Sequence, residues 1–444
     1  MASRTEHRVE REREQITERL TRIDDREPHD PFFWHGRASG LASAPPPRCI
    51  WSSERPPRDD HDSPPWLTAS EFIDEPSVMQ AKVKQLAHLL RLSKKTVLYT
   101  GAGISASVVG QAARSGTNTV GWEKVNKRTV KPTFTHRALG HLGRIGLVNS
   151  WVQQNHDGLP QKAGFPQEFL NEIHGSWYDP SNPVVKYSGT LHGRCCEWME
   201  RDAQEADLVI VLGTSLGGLN ADQVATEAAH RSKCGKSLGT VCLNLQQTPQ
   251  DGIMTLRLFG KSDDILRLLL RELGLKKQEI IDVAQPKKAP WPRLSRVLVP
   301  YDARGILLPK HAKEVGATAA ATATGTTQKW MWLDLRERQK VKLTQGHNCV
   351  GSGQPAYVHI GAKKDRKLKN GTVRKAAPDG SGCVLRRDES ESAFKINIEG
   401  ATMTLGLWWL EAALRGAVTQ LPVVNLTPSF DYPEGRTSRE ETKK

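Results

Sequence analysis

Apolar and polar residues form two different patterns along the middle of the chain. Between residues 70 and 275, short apolar runs alternate with stretches whose apolar residues recur at helical spacing. The short apolar runs are typical of buried parallel strands, and the helical spacing is typical of the helices that cover them. The predicted strands are 96–100, 147–153, 208–212 and 240–245, and the predicted helices are 78–92, 136–144, 196–205, 222–231 and 262–273. This order predicts an α/β fold with a Rossmann-like, doubly wound parallel sheet.

Both ends of the chain are patterned differently. Residues 1–70 are rich in Arg, Glu, Asp and Pro, and such a segment buries too little apolar surface to offset its ordering entropy. Short apolar or alternating runs after residue 296 are typical of strands, with one helix predicted at 403–414. The predicted organisation is a disordered or docked N-terminal tail (1–70), an α/β domain (71–275), a linker (276–295), a C-terminal β-rich accessory module (296–428) and a polar tail (429–444).

Charge and cysteine content narrow the class of protein. The net charge of +14 favours an acidic or nucleic-acid partner, which would meet basic segments such as 363–369; a solvated loop is the alternative for that segment. The seven cysteines are irregularly spaced and include no C-x-x-C pair, which argues against a disulfide framework and a structural zinc site. No run is long enough to span a membrane, and the N-terminus lacks a secretory apolar core. We therefore predict an intracellular protein, cytoplasmic or nuclear, without a membrane partner.

Small and polar residues follow the predicted strands. Gly-Ala-Gly-Ile-Ser at 101–105 has the glycines of a phosphate-binding turn, because they let backbone N–H groups approach an anion closely. Gln-Asn-His-Asp-Gly-Leu at 154–159 offers groups for a ribose or carboxamide, or else forms an Asx turn. Gly-Thr-Ser-Leu at 213–216 and Asn244 end two further strands. Ligands bind α/β sheets at such strand ends, so these motifs predict one shared site.

A histidine stands among these motifs, in Glu-Ile-His-Gly at 172–175. The ordinary pKa of histidine lies near physiological pH, so His174 is a candidate general base. A structural histidine is the alternative reading of the same residue.

In this order the motifs resemble the sirtuins, NAD-dependent protein deacylases, over roughly residues 78–275. The resemblance implies NAD as cofactor, an acylated-lysine protein as substrate, and nicotinamide and O-acyl-ADP-ribose as products. It implies His174 as the general base, with Asn155 and Asp157 also catalytic. The implied cofactor-binding residues are Gly101, Ala102, Gly103, Ser105, Arg114, Gln154, Asn155, Asp157, Gly213, Thr214, Ser215, Asn244, Ser262 and Asp263.

Within that set, the resemblance implies a division of labour. The 101–105 turn would hold the pyrophosphate and a ribose, and Arg114 falls at the arginine of the flexible cofactor loop. Gln154 and Asn155 would contact the nicotinamide ribose, and Asp157 the carboxamide. The remaining residues lie on the adenosine side: Gly213, Thr214, Ser215, Asn244, Ser262 and Asp263.

Two departures from the family pattern keep other functions open. The cofactor loop usually reads Pro-Asp-Phe-Arg but is Gln-Ala-Ala-Arg at 111–114, so the aromatic ring that shields the reacting sugar is lost at Ala113. Four zinc cysteines usually follow the His-Gly pair, whereas 176–183 contains none; we predict no zinc and a reduced small domain. The lost ring favours an NAD glycohydrolase or ADP-ribosyltransferase. Both losses together favour a non-catalytic module that binds NAD or ADP-ribose.

Overall fold

The chain divides into two compact units. The first unit comprises Met1–Asn155, Leu159–Ile173 and Cys195–Lys288, and the second comprises His156–Gly158, His174–Arg194 and Ala289–Lys444. The computed structural model describes residues 4–30, 32–60, 62–111, 113–121, 126–185, 189–218, 220–285, 291–309, 329–344 and 380–433. The second unit therefore joins two short segments of the predicted α/β domain to the C-terminal module.

The N-terminal segment is part of the first unit. It contains helix α1 (Arg4–Thr21) and the antiparallel strands β1 (Arg48–Trp51) and β2 (Glu71–Ile73). Arg13 of α1 pairs with Asp207 at 2.6 Å. The backbone N–H of Arg37 donates to Met254 O at 2.9 Å. Part of the predicted tail is therefore helical and hydrogen-bonded to the α/β core.

A six-stranded parallel sheet forms the centre of the first unit. Its strands are β3 (Thr96–Thr100), β4 (Ser150–Gln153), β5 (Leu170–Glu172), β6 (Leu208–Leu212), β7 (Gly239–Asn244) and β8 (Leu256–Phe259). Their order in the sheet is β5-β4-β3-β6-β7-β8. Counted along the chain this is 3-2-1-4-5-6, the Rossmann order, in which the winding reverses between β3 and β6. The predicted fold class is confirmed, and the reversal marks where a ligand crevice is expected.

Helices flank this sheet and complete the apolar core. They are α2 (Pro76–Leu92), α3 (Ala106–Val109), α4 (Phe134–Arg144), α5 (Leu159–Lys162), α6 (Gly193–Glu205), α7 (Gln223–Ser232), α8 (Ser262–Glu272) and α9 (Lys277–Ala284). Proline at the first position of α2 and the Thr133 cap of α4 set two of the starts. Leu86, Leu98 and Trp151 are fully buried in this core. None of the described helices combines the length and apolar content needed to cross a bilayer.

The second unit is built on two antiparallel sheets. Its elements are β9 (Arg296–Val299), β10 (Trp330–Asp334), β11 (Lys340–Leu343), β12 (Ser381–Asp388), β13 (Ala393–Ile398), β14 (Ala401–Gly406), α10 (Trp408–Arg415), β15 (Val423–Asn425) and β16 (Ser429–Asp431). The sheet orders are β16-β10-β9 and β14-β13-β12-β11-β15. The predicted β-rich character is therefore present among the described residues.

Three predicted segments differ from the structure. The predicted helix at 403–414 is strand β14 followed by α10, because residues 401–406 pair along the whole of β13. Helix α9 occupies part of the predicted linker, and β16 occupies the start of the predicted polar tail, where it pairs with β10. The apolar run at 356–360, one of the runs after residue 296 from which strands are predicted, and the basic segment 363–369 lie outside the described residues.

Acid is expected to destabilise the protein through His35. Burial is the main reason that the pKa of His35 is lowered to about 4 from 6.5. The unfolded chain therefore binds this proton more tightly, and stability present above pH 6.5 is lost progressively as the pH falls towards 4. We expect a loss of about 2 kcal/mol between pH 7 and pH 5 from this residue alone. Urea unfolding of the wild type and of His35→Gln at both pH values measures it, and equal pH slopes would contradict the assignment.

Candidate functional site

The turns that follow β3 and β6 contact each other through their backbones. They lie where the winding of the sheet reverses. The N–H of Gly101 donates to Leu212 O at 3.1 Å, and that of Gly103 donates to Gly213 O at 2.7 Å. A Cβ on Gly103 would lie 2.6 Å from Gly213 Cα. Gly213 itself has φ of +61°, a left-handed conformation that favours glycine. At this separation of the two turns, only glycine fits at positions 103 and 213.

These turns form an open cradle at the carboxyl edge of the sheet. Ala102 and Gly103 are exposed, whereas Gly101 and Ser105 are buried. Alanine and glycine place little side chain over the backbone of this turn, so a pyrophosphate can approach that backbone closely. The residues present thus fit the anionic part of a dinucleotide.

Asn155 is fixed against the first turn by its side-chain amide. Its Nδ2 donates to Gly101 O and to Ser105 Oγ, each at 3.1 Å. Ser105 Oγ in turn lies 3.4 Å from His136 Nε2. The Thr133 hydroxyl donates to Ile104 O at 3.2 Å, so His136 Nδ1 donates to Thr133 Oγ1 at 2.7 Å.

This arrangement assigns the tautomer of His136. In the neutral ring with its proton on Nδ1, Nε2 accepts from the Ser105 hydroxyl. His136 is fully buried. It is a residue that the prediction of the site did not include.

Thr214 connects the ends of three strands on the other side of the cradle. Its hydroxyl accepts from Gln154 Nε2 at 3.1 Å, and its carbonyl accepts from Asn244 Nδ2 at 3.1 Å. Ser215 follows and is half-buried. The structure therefore brings Gln154, Thr214 and Asn244 together, as the strand-end motifs predicted.

Ser262 and Asp263 lie at the start of α8 and contact the start of α4. Asp263 Oδ1 accepts from the backbone N–H of Thr135 at 2.8 Å, and Ser262 Oγ lies 2.8 Å from Thr135 Oγ1. Thr135 is next to His136, so both residues border the Ser105 network. In this structure Asp263 caps α4.

Arg114 is held by the N-terminal segment. Its guanidinium pairs with Asp59 at 2.6 Å and also donates to Pro56 O. Its backbone N–H donates to Pro57 O at 2.9 Å, and its carbonyl accepts from Gln246 Nε2 at 2.6 Å. Sequence patterns gave no signal for this contact, because it joins residues far apart in the chain.

Asp157 and His174 belong to the second unit. Asp157 is buried, and His174 is half-buried, with its carbonyl accepting from the N–H of Val185 at 3.0 Å. Gly175, which directly follows His174, has φ of +85°, and a Cβ there would lie 2.3 Å from Pro183 O. The turn after His174 therefore requires glycine.

His156 clamps this turn. Its Nδ1 donates to Gly175 O at 3.0 Å, and its carbonyl accepts from the N–H of Trp177 at 3.0 Å. Burial lowers the pKa of His156 below its ordinary value, so the ring is neutral at pH 7. Its centroid lies 6.4 Å from that of His174. His156 is a second residue that the prediction of the site did not include.

Metal ligands are not grouped among the residues that the structure describes. No set of three or more His, Cys, Asp or Glu side chains there is placed to hold an ion. Cys195 and Cys196 are half-buried cysteines of α6. The expected absence of zinc stays a prediction from the sequence.

Known proteins are similar to this chain. It is 31% identical over 277 residues to human NAD-dependent protein deacetylase sirtuin-7, an alignment that covers 49% of this chain and 68% of that protein. It is 28% identical over 253 residues to NAD-dependent protein deacetylase SRT1 of Arabidopsis thaliana, covering 47% and 52%. A solved structure described as "Structural Basis for the Mechanism and Regulation of Sir2 Enzymes" aligns with 44% of this chain and 98% of its own, with a TM-score of 0.38 and 23% identity. No protein-family model matches the chain.

Proposed function

The chain belongs to the sirtuin family, and we propose that it is an NAD-dependent protein-lysine deacylase that releases nicotinamide and O-acyl-ADP-ribose. One observation carries this proposal. The glycine turns after β3 and β6 meet at the reversal of a parallel sheet, and Asn155 is tied to both Gly101 and Ser105 there. A site built in this way suits a dinucleotide whose ribose must be oriented.

NAD is the cofactor that fits this site. It supplies a ribose carbon that an acyl-lysine oxygen can attack, with nicotinamide as the leaving group. The 101–105 turn would hold the pyrophosphate against its backbone, where the glycines allow a close approach. Gln154 and Asn155 would orient the nicotinamide ribose, while the adenosine side falls to these residues: Gly213, Thr214, Ser215, Asn244, Ser262 and Asp263.

Asp157 and His174 take the remaining roles in this proposal. Asp157 would accept a hydrogen bond from the carboxamide of nicotinamide. His174 would take a proton from a ribose hydroxyl, since a half-buried imidazole is a suitable base near neutral pH. An acidic or nucleic-acid partner stays a prediction from the net charge.

Ala113 favours a second candidate function, NAD hydrolysis without an acylated substrate. A methyl group covers much less of a reacting sugar than the aromatic ring that the family carries there, so water would have easier access. ADP-ribosyl transfer to another acceptor has the same requirement.

Nicotinamide release from NAD by the purified full chain tests the proposal. We expect release that depends on an acetyl-lysine peptide and yields one deacetylated peptide per nicotinamide. Equal release without peptide would show a hydrolase or transferase instead. NAD binding without any release would show a binding module.

The Asp59–Arg114 pair is expected to restrain cofactor binding. If Arg114 binds an anionic group of NAD, Asp59 competes for the same guanidinium. The Asp59 carboxylate is 71% exposed, and exposed pairs of this kind are weak. We therefore expect Asp59→Asn to lower the Kd for NAD by about two- to fivefold at low salt, with the difference lost at high salt because the charges are screened.

Asp60→Asn is the matched control for this prediction. Asp60 is a neighbouring carboxylate that pairs with Arg58 rather than Arg114. It should leave the Kd for NAD unchanged. Equal effects of the two substitutions would point to net charge alone and contradict a specific role for Asp59.

A further inference from the structure

The C-terminal module holds the segments that carry Asp157 and His174. Tyr178, four residues after His174, is fully buried in the same apolar core as Trp291 and Trp408. The ring centroids of Tyr178 and Trp408 lie 5.2 Å apart, and those of Trp291 and Trp408 lie 5.8 Å apart. The turn after the candidate base is therefore part of the core of the module.

A backbone hydrogen bond attaches the same turn to β14. The N–H of Gly406 donates to Tyr178 O at 2.9 Å. Gly406 ends β14, and Trp408 begins α10 two residues later. The end of the strand and the start of the helix therefore both lie next to the turn. A Cβ on Gly406 would lie 2.2 Å from the Trp408 ring, which leaves room only for glycine.

The second segment is fixed by the same two rings. Gly158 directly follows Asp157 and has φ of +64°. A Cβ there would lie 2.7 Å from the Tyr178 ring and 3.0 Å from the Trp408 ring. The backbone next to Asp157 thus rests on the Tyr178–Trp408 pair. The His156 clamp on Gly175 and Trp177 then links the two segments.

From these contacts we infer that Trp408 and Tyr178 are positioning residues, through which the C-terminal module sets the placement of Asp157 and His174. The inference rests on the proposed function, because it assigns those two residues to the reaction. Side chains that act on a reacting group tolerate little displacement, and an error of about 1 Å can cost about a hundredfold in rate. The module is in this view a component of the catalytic machinery.

Trp408→Leu in the full chain tests the inference, with Trp409→Leu as the matched control. The two tryptophans are adjacent on α10 and are 2% and 5% exposed, so the substitutions remove similar buried volume. We expect Trp408→Leu to lower kcat by about ten- to a hundredfold. The Kd for ADP-ribose, measured by calorimetry, should stay unchanged because the glycine cradle belongs to the first unit. Trp409→Leu should keep kcat within about threefold.

Tyr178→Leu sharpens the test by a double-mutant cycle. If the two rings act as one support, Trp408→Leu combined with Tyr178→Leu should lower kcat no further than either single change. Unchanged kcat in Trp408→Leu would overturn the inference. So would equal losses of kcat and of ADP-ribose binding in Trp408→Leu and Trp409→Leu, since general unfolding would explain both.

Hydrogen exchange separates this inference from the proposed function. A wild-type protein that released no nicotinamide would refute the function, yet the amide of Trp177 would still report how well the turn is held. Trp408→Leu should speed exchange at Trp177 and Val185 by tenfold or more, whereas Trp409→Leu should not. Equal exchange in both variants would refute the positioning role whatever the activity.

Discussion

His174→Ala is expected to lower kcat for deacylation by about a thousandfold, because general base catalysis contributes about 10²- to 10⁴-fold. The side chain is half-buried, and its turn is fixed by the Val185 N–H bond to His174 O and by the His156 clamp on Gly175. Alanine keeps these backbone contacts, so the loss should come from the missing imidazole. Steady-state kinetics with an acetyl-lysine peptide measures it.

His192→Ala is the control for a nonspecific effect of removing a histidine. His192 lies in the same segment of the second unit, and its Nε2 is 3.0 Å from Pro183 O. It should keep kcat within about threefold. ADP-ribose should bind His174→Ala as it binds the wild type. Activity of His174→Ala above a tenth of the wild-type value would refute the role of His174 as base.

The four central strands of the parallel sheet were predictable, and its two edge strands, β5 and β8, were not. Strands β3 and β6 are unbroken apolar runs buried on both faces, and their predicted bounds are confirmed. Strand β8 was missed because Arg257 interrupts its apolar pattern. In the structure Arg257 is buried, pairs with Asp251 at 2.8 Å and lies over the Phe259 ring. A buried charge that is paired in the folded protein hides a strand from a pattern based on apolar residues.

The contacts of the candidate site were also predictable in part. The glycine turns and Asn155 come together because parallel strands end at one edge, which the order of motifs predicted. The support of Arg114 by Asp59, and of the His174 turn by Trp408, depends on residues far apart in the chain. Asp59 lies in the predicted tail and Trp408 in the predicted accessory module, so no motif spacing indicated either contact.

Gly213→Ala is expected to weaken cofactor binding strongly and to destabilise the fold. A methyl group at Gly213 would lie 2.6 Å from the backbone nitrogen of Ile104, an atom that cannot move aside without displacing the whole 101–105 turn. The left-handed backbone adds about 1–2 kcal/mol, and overpacking adds about 1–3 kcal/mol. We therefore expect the free energy of unfolding to fall by about 2–5 kcal/mol. The Kd for NAD should rise at least about a hundredfold, because the Gly103 N–H bond to Gly213 O would break.

Gly218→Ala separates the steric collision from the backbone strain. Gly218 lies in the same loop with φ of +89°, and a Cβ there meets no atom of the described residues within 4 Å. This variant should lose only about 1–2 kcal/mol of stability from its dihedral angle and should bind NAD normally. Urea unfolding and calorimetric titration of both variants measure the two effects. Equal NAD affinities would show that the contact between the two glycine turns does not shape the cofactor site.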